Sequence, residues 1–284
     1  MRVTLLQIDV DPKETVAARR ERVAASVRES GRGSGRGSVR GSVRERGGAD
    51  LVVLPELWPV GAFAAADFAA EAERVDGGPT AVAMAAAARD AGVWLHAGSI
   101  VERGEDDGLL YNTSLVFSPE GELRASYRKI HRFGFDEGEA ALMAAGTRIV
   151  TARLPQAVLG LATCYDLRFP EQFRLLVDAG AQVLVVPAGW PARRLAHWRL
   201  LVRARAVESQ AYVVACGTAG THAGVEQSGH SMVVDPWGEI LAEAGPSEQP
   251  LSAELDIPRV AATRADFPVL RDRVLGLPRP APGR

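Results

Sequence analysis

An α/β (α+β) layered sandwich is the fold class this sequence predicts, and three observations carry the prediction. Short runs rich in β-branched residues alternate with Ala-rich helical stretches along most of the chain. Two of those runs, ADLVVLPELW (49–58) and AQVLVVPAGW (181–190), are almost wholly apolar and read as buried strands. With 284 residues, 47% of them hydrophobic, the chain is long enough for one large core, and a single domain over 1–273 is expected.

The elements follow in order. VTLLQIDV is the first strand. Asp11, Pro12 and Glu14 then have the spacing of a capping box opening a helix that keeps Val16, Val23 and Val27 on one face. From Arg28 to Gly47 the chain becomes a tandem tetrapeptide with Arg at every fourth place. A helix would stack those arginines into one repelling stripe, and each Gly costs it about 1 kcal/mol against Ala. A flexible, solvated Arg/Gly/Ser insertion at 31–48 is therefore expected, in preference to an RGG-like nucleic-acid arm.

ADLVVLPELW delivers Glu56 just past its apolar part, and a helix follows from Pro79 to Ala91. VWLHAGSIVE, LYNTSLVFS and LRASYRKI are successive strands, with Asn112 and Ser118-Pro119-Glu120-Gly121 as turn chemistry. Their alternation predicts one face on the core and one wetter face. AVLGLATC is a strand that brings Cys164 to its end. Pro170 suits the first turn of a helix through Val177, closed by Gly180. After the buried strand at 181–190 comes a helix, HWRLLVRARAVESQ, with Trp198, Leu201, Val202 and Ala206 inward. AYVVACGT, GHSMVVDPWG and LSAELDI complete the strands, and 274–284 is a Pro-rich tail.

Composition excludes several classes of function. A formal charge of −2 gives no global field for nucleic acid or an anionic membrane, so a small molecule or another subunit is the expected partner. Two cysteines, Cys164 and Cys216, make neither a disulfide framework nor a zinc site, and no metal or cofactor is expected. No apolar run approaches the ~18 residues that span a bilayer. The chain reads as cytoplasmic and reduced.

Only Lys13 and Lys129 are lysines, the other cationic residues being arginine. Lys129, Glu56 and Cys164 share one property, since each stands at or just past the end of a core strand. Strand ends in layered α/β folds converge on a crevice. There the three have complementary chemistry. A thiol near its reference pKa of ~8.5 needs a base or a nearby cation to act as a nucleophile. Glu56 suits the base. Lys129, with a backbone N–H such as that of Tyr165, suits an oxyanion formed by attack on an amide carbonyl. On residues alone the alternatives stay open. A strand-end cysteine is often a buried structural thiol, as Cys216 is read here. A Cys/His acyl hydrolase using His131, His197 or His230 and a non-catalytic binding protein are the rival functions.

PEL around Glu56, YRKIH around Lys129 and CYDLRFPE around Cys164 resemble, in order and spacing, the three signature segments of the nitrilase superfamily of carbon–nitrogen hydrolases. The likeness extends from Val3 to about Arg273. It implies a four-layer α-β-β-α sandwich that pairs into a homodimer, with the helix around Arg203 to Glu208 as a contributor. It also implies Glu56 as general base, Lys129 as oxyanion partner, Cys164 as nucleophile and Glu139, seven residues before Gly146, as a second glutamate. Asp136 and Glu137 are close enough in sequence to compete for that last role. CYDLRFPE and GHSMVVDPWG look like the branch of omega-amidases and deaminated-glutathione amidases, whose substrates are small amides with a distal carboxylate. Arg168 is the candidate clamp for that carboxylate, or the partner of Asp166 or Glu171, with Tyr165 and Trp190 as substrate-binding residues. N-carbamoyl amino-acid hydrolysis and nitrile hydrolysis are the alternatives within the superfamily. Arg132 departs from the family pattern, where an apolar residue is more frequent, and is expected to alter pocket charge.

Overall fold

The computed structural model of the chain describes residues 1–32, 48–134 and 136–275. The tetrapeptide insertion lies outside them for residues 33–47, and the tail for residues 276–284.

Strands β1 (Arg2–Gln7), β2 (Leu51–Val53), β3 (Trp94–Arg103), β4 (Leu110–Phe117) and β5 (Leu123–Arg128) form one six-stranded sheet with β14 (Gln249–Glu254), in the order β14-β1-β2-β3-β4-β5. The second is built from β6 (Val150–Arg153), β7 (Val158–Leu161), β8 (Val183–Ala188), β9 (Tyr212–Gly217), β12 (Met232–Val234) and β13 (Ile240–Glu243), in the order β13-β12-β9-β8-β7-β6. A short hairpin, β10 (Thr221–His222) and β11 (Val225–Glu226), stands apart. The central strands β1, β2 and β3 run parallel, as do β7, β8 and β9.

The period-2 pattern of these strands decides the layering. Leu51 and Val53 of β2, Val183 and Val185 of β8, and Val214 and Cys216 of β9 meet in the core between the sheets. Their alternates point outward. Val52 and Leu54 pack under α1 (Val16–Arg32) and α2 (Pro79–Ala91). Leu184, Val186, Val213 and Ala215 pack under α4 (Pro170–Asp178) and α5 (Leu195–Ser209). The result is a four-layer α-β-β-α sandwich, and the all-apolar strands are those with helices on one side and the other sheet on the other. Two further helices, α3 (Gly138–Leu142) and α6 (Pro258–Asp266), lie outside this stack. Cys216 is structural, as expected: its Sγ lies 3.4 Å from the carbonyls of Leu6 and Val53, and burial pushes the thiol pKa up.

Three local expectations are corrected. First, α1 begins at Val16 with Thr15 as its cap (Ala18 N–H to Thr15 Oγ1, 3.2 Å), while Asp11 instead closes a turn onto the Lys13 and Glu14 amides. The Glu14 carboxylate that would complete a capping box is held by Arg19 and Arg22. Second, α1 extends past Arg28 to Arg32. Arg28 pairs with Asp90 at 2.9 Å, and Gly31 lets the helix close onto Ala91, where a Cβ would stand 2.3 Å from the Ala91 oxygen. The returning chain crosses there, with the Ala49 N–H 3.1 Å from the Ser30 carbonyl, so both ends of the insertion meet at one neck. Third, β4 has no wet face. Tyr111 to Phe117 are all buried, because Asn112, Thr113 and Ser114 find polar partners inside. The short strands β6, β13, β10 and β11 and helix α6 carry no pattern that the sequence reading caught.

Two buried histidines make the fold acid-sensitive. Burial lowers His96 on β3 to about 4, and burial helped by Arg19 lowers His222 to about 4. The unfolded chain, at about 6.5, binds protons that the folded chain refuses, so this contribution is complete above pH 6.5 and is lost as pH falls towards 4. At pH 5 the loss is roughly 2 kcal/mol per histidine. Urea denaturation at pH 7 and pH 5 measures it, and His222→Gln is expected to remove about half of the histidine-linked difference. No helix among the described residues is long and apolar enough to cross a membrane.

Candidate active site

Each of the three strand-end groups arrives by a different local device. Glu56 follows β2 and is succeeded by Leu57 at φ +43°, a left-handed turn in a non-glycine residue. Lys129 directly follows β5. Cys164 opens a one-turn 3₁₀ helix, Cys164–Arg168, after β7, and itself sits at φ +46°. Such conformations cost roughly 1 kcal/mol or more and persist only where surroundings impose them. Here the imposing contact is a capping box. Thr163 and Asp166 satisfy each other's amides, with the Thr163 N–H 2.8 Å from Asp166 Oδ2. The same buried Asp166 accepts the Tyr127 hydroxyl at 2.7 Å and the His131 N–H at 3.0 Å, and it pairs with His131 Nδ1 at 2.7 Å. The cysteine turn and the lysine segment are thereby tied to one carboxylate.

The side chains converge. Lys129 Nζ donates to Glu56 Oε1 and to Glu139 Oε2, both at 2.7 Å. The Asn112 amide bridges the same two acids, giving one hydrogen to Glu56 Oε1 at 2.8 Å and one to Glu139 Oε1 at 2.9 Å. Glu56 Oε2 accepts the Gly189 N–H at 2.8 Å, and Glu139 Oε2 the Phe133 N–H at 2.8 Å. Position 189 must be glycine for this approach, since a Cβ would stand 2.5 Å from that of Ala62. Glu56, Lys129, Glu139 and Cys164 are each at most 8% exposed.

Electrostatics follow from that burial. Desolvation raises the Cys164 thiol well above its ordinary value, as does the Glu56 charge and its hydrogen bond to the thiol, and the Lys129 charge opposes them. Burial disfavours the Lys129 ammonium, yet Glu139, Glu56 and Cys164 together hold its pKa well above normal. Burial and the neighbouring Glu56 raise Glu139 against the pull of Lys129. The resting site is therefore a thiol beside a carboxylate, with a locked ammonium between two acids.

A cavity of about 320 Å³ opens onto this cluster, lined by Glu56, Lys129, Glu139 and Cys164 together with Phe63, Phe133 and Arg194. Of the sequence-predicted binding residues, Tyr165, Arg168 and Trp190 line a narrower cleft at Cys164. Arg168 makes no ion pair with Asp166 or Glu171 among the described residues. Its guanidinium lies 5.0 Å from the Trp190 ring centroid and 3.4 Å from His197 Nδ1. Glu139 reaches Lys129, and Asp136 and Glu137 stay exposed. Two expectations are corrected: Asn112 is no turn residue but joins the two acids from within β4, and Arg132 does not line the pocket. Arg132 instead donates to the Ala140 and Met143 carbonyls at 3.0 and 2.7 Å, closing the C-terminal end of α3, the helix that carries Glu139.

No histidine lines the cavity among the described residues. His131 is held by Asp166 and stacked on Phe169 at 3.7 Å, and His230 pairs with Glu243 at 2.9 Å. Nor, among the described residues, does any group of three or more His, Cys, Asp or Glu stand ready to hold a metal ion. Phe63, Phe133, Arg193 and Arg194 were not singled out in the sequence. The only hint of the last two is an uncompensated Arg-Arg pair just before a helix.

Comparison with known proteins agrees with this geometry. The family model described as carbon-nitrogen hydrolase matches residues 2–265. A 2-oxoglutaramate amidase of Paenarthrobacter nicotinovorans is 44% identical over 80% of this chain and 79% of its own length. The omega-amidase NIT2 of Homo sapiens is 38% identical over 80% of this chain and 83% of its own. Among solved structures, Saccharomyces cerevisiae Nit3, described as a member of branch 10 of the nitrilase superfamily, superposes with a TM-score of 0.83 at 30% identity, covering 95% of this chain and 94% of that one. A family match over nearly the whole chain, relatives well above 30% identity and a shared architecture have one meaning: the chain belongs to the carbon–nitrogen hydrolase family and is a hydrolase of carbon–nitrogen bonds outside the peptide backbone.

Proposed function

We propose that the protein is a cysteine-dependent, omega-amidase-like enzyme that removes ammonia from the terminal amide of a small carboxylated substrate. The observation that carries this is the meeting of Cys164, Glu56 and Lys129 in one small buried cavity. Glu56 takes the thiol proton as Sγ attacks the amide carbon. The resulting oxyanion is met by Lys129 and by the N–H of Tyr165, which as a first-turn amide has no partner within its own helix. Glu56 returns the proton to the leaving nitrogen as the C–N bond breaks, releasing ammonia and a thioester. It then deprotonates a water that attacks the thioester, and the departing sulfur recovers its proton. Glu139 holds Lys129 in place throughout, joined to Glu56 by Asn112. The relatives named as 2-oxoglutaramate amidase and omega-amidase support the substrate class. The test is ammonia release across α-oxo and α-amino dicarboxylate monoamides, N-carbamoyl amino acids and nitriles, with Cys164→Ala as control. Activity confined to carbamoyl compounds or nitriles overturns the substrate class.

The working unit in this reading is a homodimer in the reducing cytoplasm, where a nucleophilic thiol stays usable. An exposed apolar strip supports the dimer: Leu200 and Val207 on α5, and Trp237 stacked on Phe267 at 6.1 Å. Arg205 contributes nothing to that face, because it turns inward to Glu208 and the Leu167 carbonyl. Sedimentation of Trp237→Asp as a monomer, with the wild type at twice its mass, is the expected result, and equal masses overturn the assignment of this surface.

A further inference from the structure

Several arginines among the described residues find an acid. Arg22 has Glu14 and Glu248, Arg74 has Asp76 and Glu105, and Arg199 has Glu243. Three around the reacting thiol do not. Arg168 and Arg194 line the narrow cleft at Cys164, and Arg193 and Arg194 line the wider cavity that holds Glu56 and Lys129. None of the three makes an ion pair among the described residues. Glu137 lines the wider cavity too, but it is exposed and does not pair with them.

Arg194 is the member common to both spaces, and its backbone is fixed. The Trp190 indole N–H donates to its carbonyl at 2.9 Å, and its own N–H bonds the Pro191 carbonyl at 2.9 Å. Its guanidinium stands 5.3 Å from the Phe133 ring centroid, makes no hydrogen bond among the described residues, and is repelled by Arg193 and Arg168 while sensing Cys164 and Tyr165. Arg168, by contrast, is already engaged with Trp190 and His197. Uncompensated guanidiniums held close together are stabilised by a bound carboxylate, which a planar two-pronged donor grips through two hydrogen bonds.

Resting on the amidase reading above, we propose that Arg194 is the principal specificity-determining residue, binding the substrate's distal carboxylate through a guanidinium that bridges the cleft at Cys164 and the main cavity. Arg168 supplies a second donor and Arg193 a long-range field. An α-oxo group beside the carboxylate suits this cluster, whereas an α-ammonium is repelled by it.

The test compares kcat/KM for 2-oxoglutaramate, glutamine and uncharged pentanamide in the wild type and in Arg194→Gln, Arg168→Gln, Arg193→Gln and Arg194→Lys. Arg194→Gln is expected to lower the preference for 2-oxoglutaramate over pentanamide about 10- to 100-fold, mainly through KM. Arg193→Gln lowers it less than about fivefold, and Arg194→Lys recovers part of the loss. An equal loss on both amides, or a preference that collapses in Arg168→Gln and not in Arg194→Gln, overturns the assignment. Calorimetric binding of 2-oxoglutarate to Cys164→Ala, with and without Arg194→Gln, separates the two readings. Arg194-dependent binding, together with a wild type that hydrolyses no amide of the panel, sinks the amidase and keeps the carboxylate site. Binding of equal strength in both variants, or none in either, sinks the site.

Discussion

Cys164→Ala is expected to abolish ammonia release, a loss on the order of 10⁶-fold of the kind that follows removal of a nucleophile, while Glu56→Gln costs about 10³-fold by removing the base. The geometry separates the two effects. Burial and the Glu56 charge keep Cys164 as a thiol at neutral pH, so its reactivity depends on handing the proton to Glu56 during attack. In the wild type, iodoacetamide alkylation of Cys164 should therefore vary little between pH 6 and pH 9. In Glu56→Gln the proton has no local acceptor. The alkylation rate then tracks free thiolate and rises about tenfold per pH unit while pH stays below the raised thiol pKa. Intact mass reads the result as a single adduct, because Cys216 is sealed between the sheets. Equal alkylation of both proteins at pH 7, or an equal activity loss in a His131 variant, would falsify the assignment of Glu56 as base.

Apolar periodicity made a layered α/β fold legible, while the four-layer order of the sandwich came from the family resemblance. Strands β2, β8 and β9 are covered on both faces, so their composition alone marks them as central. The strands it hid are short and at sheet edges, such as β6 and β13, where few side chains are buried and no period develops. Of the site, the ionisable residues at strand ends were legible as candidates, because strand ends converge on a crevice, while on residues alone the structural readings stayed open. The resemblance of three motifs then supplied their roles.

Asn112 was not legible, for a physical reason. An asparagine flanked by Tyr111 and Thr113 carries the same local signature whether it closes a turn or spans two carboxylates, and only the pairing of β4 with β3 and β5 settles which. Arg132 misled in the opposite way, since a cation next to a pocket motif reads as pocket charge until the carbonyls at the end of α3 claim it. Arg194 was not legible because an Arg-Arg pair before a helix is a weak mark that any solvated helix start can carry. Its distinction is that it lines both the cleft at Cys164 and the main cavity, which is a property of space and not of order along the chain.

Lys129→Met tests whether the lysine is a structural keystone as well as an oxyanion partner. Removing the ammonium leaves Glu56 and Glu139 buried side by side with only the Asn112 amide between them. Breaking a buried pair in this way costs about 3–5 kcal/mol, and one carboxylate will take up a proton to relieve it. A carboxylate whose folded pKa is raised above its unfolded value near 4.3 binds protons better in the folded chain, so the deficit is greatest at pH 7 and shrinks as pH falls towards 5. This trend runs opposite to that of His96 and His222, and the difference between variant and wild type isolates it. Adding Glu139→Gln to Lys129→Met removes the like-charge repulsion. The double variant should regain most of the stability at pH 7 while ammonia release stays at least about 10²-fold down, because the oxyanion still lacks its cation. Urea denaturation at both pH values, read beside activity, checks each half, and a Lys129→Met protein as stable as the wild type at pH 7 would remove the structural role.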